Sequence, residues 1–469
     1  MQEKQLFFVI NWMDFVDKQS FIYKKQDLSP YFKELFCRIL PKGMKTYDLN
    51  GAEQYVYDYC KNTENVDFKT IETNKLNKKI RWHLFGNKTD FRYLLVAELF
   101  YTLKALEADI PEDYKAFLKE TLSFSDEKFI RCLDFVNKPA DIPSKKIKAS
   151  FAKYIEFTDG LEAYNLLPIK HIGVCACMSA GKSSFVNALL GYNFLPARNE
   201  ATTARVTSIY DKDGATTLAG FAIKDSSVVG IGSNLNPQII DSWNDNSDIS
   251  HIYLQGDMDN IKNDGLVVAV HDTPGVNNSG NKLHHDITMN FLKENKMDLI
   301  IYVANAQNHG TTDEKKMLLE LWKKVIKPNH IPIIFVLNKA DLIDPEKENP
   351  NDMITNFKND LSKVGYNKLF FESISIEGSA VLPISSKAAG LLKMARNGHS
   401  KRFTSKEKRA FVEAITDFND LYNFGTNEVE NISEKIIMVN DIEYPASEIE
   451  RALEHSGLPD IERYIEKII

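Results

Sequence analysis

The residues best suited to chemistry form one short turn, segment 176–184, which reads ACMSAGKSS and follows the apolar run 172–175. A strand that ends in such a turn and leads into a helix gathers backbone amides around anionic oxygens. In that arrangement Lys182 reaches the β- and γ-phosphates of a nucleotide, and the Ser183 hydroxyl binds Mg²⁺. The segment therefore predicts a phosphate-binding loop, with nucleotide contacts from Ser179, Ala180, Gly181, Lys182, Ser183 and Ser184.

A second motif, NKAD at 338–341, identifies the base. The Asp341 carboxylate accepts hydrogen bonds from the N1 and N2 donors of guanine, whereas adenine offers no matching pair, so the wrong base leaves buried groups unpaired. Asn338 is expected to tie this motif to the phosphate loop, and Lys339 is expected to lie along the base and ribose. The predicted ligand is therefore GTP.

Other polar residues of the predicted site lie between and after these two motifs. Asp272 ends an apolar run and is expected to hold Mg²⁺ through water, while the Gly275 amide meets the γ-phosphate. A threonine hydroxyl is also expected on the metal, from Thr203 as the first choice and from Thr202 as the alternative. The segment after the apolar run 381–384 is expected to present a backbone amide to the guanine O6, and its residues are Ser385, Ser386 and Lys387.

The elements that must position these residues follow from the apolar pattern after residue 169. Short β-branched runs alternate there with helical patterns, and most runs are too continuously apolar for a half-exposed strand. This pattern predicts a doubly wound α/β fold, a P-loop GTPase domain with a mostly parallel sheet covered by helices on both faces. The predicted strands are 172–177, 207–210, 218–223, 266–270, 299–303, 332–337 and 381–384.

The first 150 residues have a different pattern. Apolar residues recur there at three- and four-residue spacing, for example at Leu95, Leu99 and Leu103, which predicts a smaller all-α domain. A stretch at 138–147 with two prolines and little apolar content is typical of a linker. We therefore expect an N-terminal helical domain at 1–150 and a GTPase domain at 151–469.

Composition restricts the function classes. The chain is 43% hydrophobic and 26% charged, as in ordinary globular proteins, and its net charge of −7 argues against a nucleic-acid-coating surface. Five scattered cysteines indicate reduced thiols of a cytoplasmic protein. A small basic patch is interpreted as a solvated face, with peripheral contact to anionic lipid as the alternative; it comprises Lys401, Arg402, Lys406, Lys408 and Arg409.

Taken together, these motifs resemble those of the bacterial dynamin-like GTPases. The resemblance rests on CMSAGKSSFVNALLG at 177–191, NEATT at 199–203 and DTPGVNNS at 272–279, and it covers about residues 165–469. It implies Mg²⁺-dependent hydrolysis of GTP to GDP, with dimerisation across the nucleotide. It also implies that Ser179 supports a monovalent cation, so Ser179, Lys182 and Thr203 are the expected catalytic residues, acting by positioning and charge neutralisation.

Two other functions stay open at this point. One is a GTP-dependent binding module or scaffold with slow incidental hydrolysis, since Ala176, Cys177 and Met178 depart from the residues usual in the family. Val276 follows Gly275 where small GTPases usually place a glutamine, so the attacking water must be positioned by other groups. The other is a ribosome- or nucleic-acid-associated GTPase, which the acidic balance disfavours. For the leading function we expect a homodimer through the GTPase domain and a protein partner at the helical domain.

Overall fold

The computed structural model describes residues 125–138, 145–195, 205–225, 227–262, 264–275, 282–364, 381–427, 435–439 and 441–468, with scattered positions in 6–11 and 97–119. Its strands are β1 Ile169–Ala176, β2 Val206–Asp211, β3 Ala219–Lys224, β4 Ser227–Gly232, β5 His251–Gly256, β6 Val267–Asp272, β7 Leu299–Asn305, β8 Ile333–Asn338, β9 Val381–Ile384, β10 Ile436–Val439 and β11 Ile442–Pro445. The chain divides into two compact units, Met1–Leu167 with Ala219–Asn234, and Pro168–Leu218 with Leu235–Ile469.

The described helices are α1 Asp126–Asn137, α2 Lys145–Leu166, α3 Lys182–Leu190, α4 Pro237–Asp245, α5 Lys282–Glu294, α6 Thr312–Leu321, α7 Lys327–Asn329, α8 Pro350–Val364, α9 Ser386–Arg396, α10 Ser405–Asp420, α11 Ala446–His455 and α12 Leu458–Ile468. A π-helical stretch, Trp322–Ile326, joins α6 to α7. Short 3₁₀ turns occupy Ala340–Leu342 and Ser400–Arg402.

The second unit contains a seven-stranded run in the order β5-β2-β6-β1-β7-β8-β9. Only the β2–β6 pairing in this run is antiparallel, and the other five pairings are parallel. Every residue of β2, β6, β8 and β9 is buried, which requires cover on both faces of the sheet. The predicted mostly parallel α/β fold is thereby confirmed.

The first unit combines helices with a pair of strands from later in the chain. Helix α1 begins after Ser125, whose side chain accepts a hydrogen bond from the Lys128 amide. The antiparallel pair β3–β4 belongs to the same unit, where the Phe7 and Phe221 rings lie 5.2 Å apart. Helix α2 includes residue 150, and this unit also comprises Met1–Leu167 of the chain.

The C-terminal helices close the second unit around a buried ion pair. Lys393 on α9 is fully buried, and its Nζ donates to Glu462 Oε1 on α12 at 2.6 Å. The same ammonium donates to the Leu189 carbonyl at 2.7 Å and to the Met258 carbonyl at 3.2 Å. Since all three partners are separated in sequence, one lysine fastens the C-terminal helix to α3 and to the loop after β5.

Replacing Lys393 with methionine is expected to lower the free energy of unfolding by about 3–5 kcal/mol, because Glu462 becomes a buried charge without its cation. Urea denaturation followed by circular dichroism measures the change. The double variant Lys393→Met with Glu462→Gln removes both charges and is expected to recover much of the loss. A single variant as stable as wild type would contradict this account of the ion pair.

Candidate nucleotide-binding site

The phosphate loop lies between β1 and α3, as the sequence predicts. Gly181 caps α3 with a φ of 87°, and a Cβ built there would collide with the Asn338 side-chain amide. Ser179 also has a positive φ, 62°, which is unusual for a residue with a side chain. Glycine at 181 is therefore required both by backbone conformation and by the close approach of Asn338.

A buried cluster of charges lies at the start of α3. Lys182 is 6% exposed, and its ammonium pairs with the carboxylate of Asp272, which is fully buried at the end of β6. The Ser183 hydroxyl lies 3.4 Å from the second oxygen of Asp272. Burial raises the pKa of Asp272, while the neighbouring lysine and serine oppose that rise. The loop thus places a lysine, a hydroxyl and a carboxylate together at a helix N-terminus.

Asn338 joins three parts of the predicted site. Its side-chain nitrogen donates to the Ala180 carbonyl at 2.8 Å, and its side-chain oxygen accepts from the Ser386 amide at 3.0 Å. This confirms that Asn338 ties the base motif to the phosphate loop. Lys339 adds a second link, since its Nζ donates to the Ser179 carbonyl at 2.7 Å.

Asp341 and the segment after β9 lie side by side. The Ser385 side chain donates a hydrogen bond to Asp341, and burial raises the pKa of Asp341 as the largest influence. Ser385 is also the N-cap of α9, where its hydroxyl accepts from the Ala388 amide at 3.3 Å. Within the described residues the buried Ser386 hydroxyl has no hydrogen-bond partner, and Lys387 next to it is exposed.

The segment after β6 is held against β1. The Thr273 hydroxyl donates to the Val174 carbonyl at 2.8 Å, and Thr288 on α5 donates to the Pro274 carbonyl at 3.0 Å. These bonds place Gly275 close to the phosphate loop, where a Cβ built on Gly275 would lie 3.7 Å from Met178 Cγ. The structure therefore brings together the phosphate loop, the end of β6, the base motif and the segment after β9.

Some predicted site residues lie outside the described residues. Thr202 and Thr203, the two candidates for a threonine on the metal, are among them, as is Val276. Ser184 is described and lies half-buried on the first turn of α3. The roles assigned to Thr203 and to Ser179 in catalysis accordingly stay predictions.

One contact at this site has no sequence signal. His284 on α5 is 6% exposed and makes a hydrogen bond with the backbone of Gly275. Sequence patterns alone assign His284 no role in nucleotide binding. Its contact with Gly275 depends on how α5 folds back, which no local pattern encodes.

A histidine network lies on the strands beside the site. His271 Nε2 lies 2.9 Å from His171 Nδ1, and His271 Nδ1 lies 2.6 Å from the Ser208 hydroxyl, which in turn lies 2.7 Å from His251 Nε2. His271 therefore directs its ring away from the cluster around Asp272, the next residue along β6, as alternation along a strand requires. Desolvation, and then the neighbouring histidines, lower the pKa of His271 well below 6.5.

This network predicts a loss of stability toward acid. Above pH 6.5 both folded and unfolded chains carry a neutral His271, so this residue contributes no pH dependence. Below pH 6.5 the unfolded chain takes up a proton that the buried ring does not, and the free energy of unfolding falls by up to about 1.4 kcal/mol per pH unit. Urea midpoints between pH 7.5 and pH 5 should show a shallower acid slope for His271→Asn than for wild type. Equal slopes would contradict the assignment to His271.

The residues present fit a nucleotide with a divalent cation. Hard cations of this kind prefer oxygen ligands, and the Ser183 hydroxyl and the Asp272 carboxylate supply them beside the helix N-terminus. The Lys182 ammonium is already buried at that end of α3, where a phosphate also binds favourably. The unpartnered Ser386 hydroxyl, next in sequence to the Ser385 that contacts Asp341, is a further polar group in this segment.

None of the helices in the described part of the chain is long and apolar enough to cross a membrane.

A protein encoded 3′ of xynA in Caldicellulosiruptor sp. (strain Rt8B.4), itself uncharacterised, is 26% identical over 314 residues, which are 61% of this chain and 69% of that protein. A structure of an oligomerised bacterial dynamin pair is 18% identical, with a TM-score of 0.38, and covers 89% of this chain and 60% of its own.

Toc33 from Arabidopsis thaliana, in a dimerisation-deficient form, is 16% identical with a TM-score of 0.30, and covers 51% of this chain and 79% of its own. The model of the Dynamin family matches residues 172–340, which include the phosphate loop, the segment after β6 and the first three residues of the base motif. The segments that meet at the site thus lie within or next to the part of the chain that is similar to the Dynamin family.

Proposed function

We propose that this protein binds GTP together with Mg²⁺ and hydrolyses it to GDP and phosphate. The observation that carries the proposal is the position of Asn338, which hydrogen-bonds the phosphate loop on one side and the segment after β9 on the other. That arrangement brings the residues expected on the phosphates and those expected on guanine into one site. Asp341, beside Ser385, supplies the carboxylate that selects guanine.

Each residue has a separate task in this proposal. The amides of residues 180–184 and the Lys182 ammonium bind the β- and γ-phosphates, and the Gly275 amide binds the γ-phosphate. Ser183 and Asp272 hold Mg²⁺, which when bound neutralises charge on the phosphates. The chain thus accelerates the reaction by positioning groups and neutralising charge, without a covalent step.

The proposal has two further parts, of which the first is supported by the resemblance of residues 165–469 to dynamin-like proteins. GTPase domains of two copies pair across the nucleotide and complete the site, in which Thr203 contributes to the metal and Ser179 supports a monovalent cation. The helical unit transmits the nucleotide state to a protein partner. In this proposal residues 1–150 carry the second task and residues 151–469 carry the first.

Specific GTPase activity measured against protein concentration tests the proposal. Activity per molecule is expected to rise with concentration for GTP and to stay near background for ATP and for Lys182→Ala. Equal turnover of ATP and GTP would overturn the assignment of Asp341.

A low rate that does not change with concentration, combined with tight GTP binding, would instead support a GTP-dependent scaffold. That alternative is favoured by Val276, a side chain that cannot orient the attacking water as a glutamine does.

A further inference from the structure

Three polar side chains form a chain behind the phosphate loop. Tyr302 on β7 is fully buried, and its hydroxyl lies 3.5 Å from Cys177 Sγ and 3.3 Å from Glu314 Oε1. Glu314 on α6 is 4% exposed, and its other carboxyl oxygen accepts from the Gly310 amide at 2.6 Å. The sequence patterns assign no role to Tyr302 or Glu314.

Burial raises the pKa of all three of these side chains. Desolvation raises the pKa of Cys177 to about 11 and raises the pKa of Tyr302 well above 10, so both groups keep their protons at neutral pH. Burial also raises the pKa of Glu314. The phenol has one hydrogen, so it donates to one neighbour and accepts from the other, and both contacts can be made at once.

Helix capping accounts for only part of this geometry. Thr311 is the N-cap of α6 and accepts from the Glu314 amide at 3.2 Å, while the Glu314 carboxylate accepts from the Gly310 amide just before the helix, so the glutamate side chain also serves the helix start. The loop before it is anchored by His309 Nδ1, 3.0 Å from Asp360 Oδ2. Capping gives no reason for the hydroxyl of Tyr302 to lie between Glu314 and Cys177.

The position of Cys177 supplies that reason. Ala176 and Cys177 open the phosphate loop, and Cys177 is the first loop residue after β1 ends. The far end of the loop is held by Asn338 at the Ala180 carbonyl and by Lys339 at the Ser179 carbonyl. Without a contact at Cys177, the beginning of the loop would lack the side-chain tether that its end possesses.

We propose that Tyr302, held in place by Glu314, is a positioning residue for the phosphate loop, which it fixes at Cys177 so that the loop amides stay oriented toward the nucleotide phosphates. The inference rests on the proposed binding of GTP. The orientation of the phosphate loop would then depend on the position of Glu314, because the Tyr302 hydroxyl on β7 contacts Cys177 on one side and Glu314 on the other.

Removing only the hydroxyl tests the inference. Tyr302→Phe keeps the ring beside Phe335, whose centroid is 6.0 Å away, and is expected to raise the KM for GTP about five- to tenfold. The kcat is expected to change less than about twofold, because phosphate binding by the loop is common to ground and transition states. Cys177→Ala should likewise raise the KM while changing the kcat little. Cys177→Ser keeps a hydrogen-bonding group, so its KM should be close to that of wild type.

A second measurement does not need GTP. Amide hydrogen exchange of residues 177–181 in the nucleotide-free protein is expected to increase several-fold in Tyr302→Phe and in Glu314→Gln. Cys175→Ala is the matched control, because Cys175 is a fully buried thiol on β1, two residues before Cys177, and its loss should lower thermal stability without changing this exchange.

Three outcomes would overturn the inference. The first is an unchanged KM and unchanged amide exchange in Tyr302→Phe. The second is a Cys177→Ala variant whose KM and exchange match those of Cys175→Ala. The third is a double variant, Tyr302→Phe with Cys177→Ala, in which the two effects on KM are fully additive in free energy. Increased exchange in a protein whose wild type fails to bind GTP would support the positioning role and reject the proposed function.

Discussion

The Lys182→Ala variant is expected to bind GTP at least about 100-fold more weakly than wild type and to show no measurable hydrolysis. Lys182 supplies charge-assisted hydrogen bonds to the phosphates, each contributing about 1.5–3 kcal/mol, and every 1.4 kcal/mol is a tenfold change in affinity. Fluorescence titration with a labelled GTP analogue measures the affinity. A variant that binds within about threefold of wild type would contradict the phosphate-loop assignment.

Loss of stability must be separated from loss of binding in this experiment. Asp272 is fully buried, and removing its lysine partner leaves a carboxylate whose pKa burial already raises. The double variant Lys182→Ala with Asp272→Asn removes both charges, so it should unfold at a temperature nearer to wild type. Its GTP affinity should stay low, because Asp272→Asn removes the unpaired buried carboxylate but does not restore the ammonium that binds the phosphates.

The Asp341→Asn variant is expected to change base preference from guanine to xanthine. Guanine presents two donors, N1–H and N2–H, to the carboxylate, and an asparagine would face one of them with its own donor. Xanthine carries a carbonyl in place of the N2 amine, so the asparagine amide donates to it while its oxygen accepts from N1–H. The ratio of GTP to XTP affinity should fall by about 1000-fold, measured by competition against labelled nucleotide.

A nearby aspartate provides the control for this variant. Asp344 is exposed and pairs with Lys347 at 2.7 Å, three residues from the base motif. Asp344→Asn should leave both the GTP affinity and the preference over XTP unchanged. If Asp341→Asn still favoured GTP, the guanine assignment would be wrong while the phosphate loop would be unaffected.

The positions of seven strands along the chain were accessible to pattern analysis, and the strands that were missed have a physical cause. All seven predicted strands are present, with ends that differ by a few residues. β5 was not predicted, since its sequence HIYLQG mixes polar and apolar residues although it pairs with the buried strand β2. β4, with two glycines in six residues, also lacks the apolar run that marks a strand.

The histidine network and the buried ion pair lay beyond sequence analysis for a related reason. His171, Ser208, His251 and His271 come from four different strands, and Lys393 and Glu462 from two different helices. Polar and charged residues of these types are mostly exposed in proteins, so none of them by itself indicates a buried position. Only the order of strands and helices shows that these polar groups satisfy one another when buried.

The sequence by itself determined the phosphate loop, the guanine motif and their order along the chain, because each motif is a contiguous segment whose backbone geometry is local. The tertiary structure decided which of these segments meet. Asn338 reaches Ala180 across 158 residues, and Tyr302 comes to lie behind Cys177 across 125, because β1, β7 and β8 are neighbours in the sheet. A loop that seemed self-sufficient in sequence is thus held at both ends by distant side chains, because strand order sets such contacts and local patterns do not encode it.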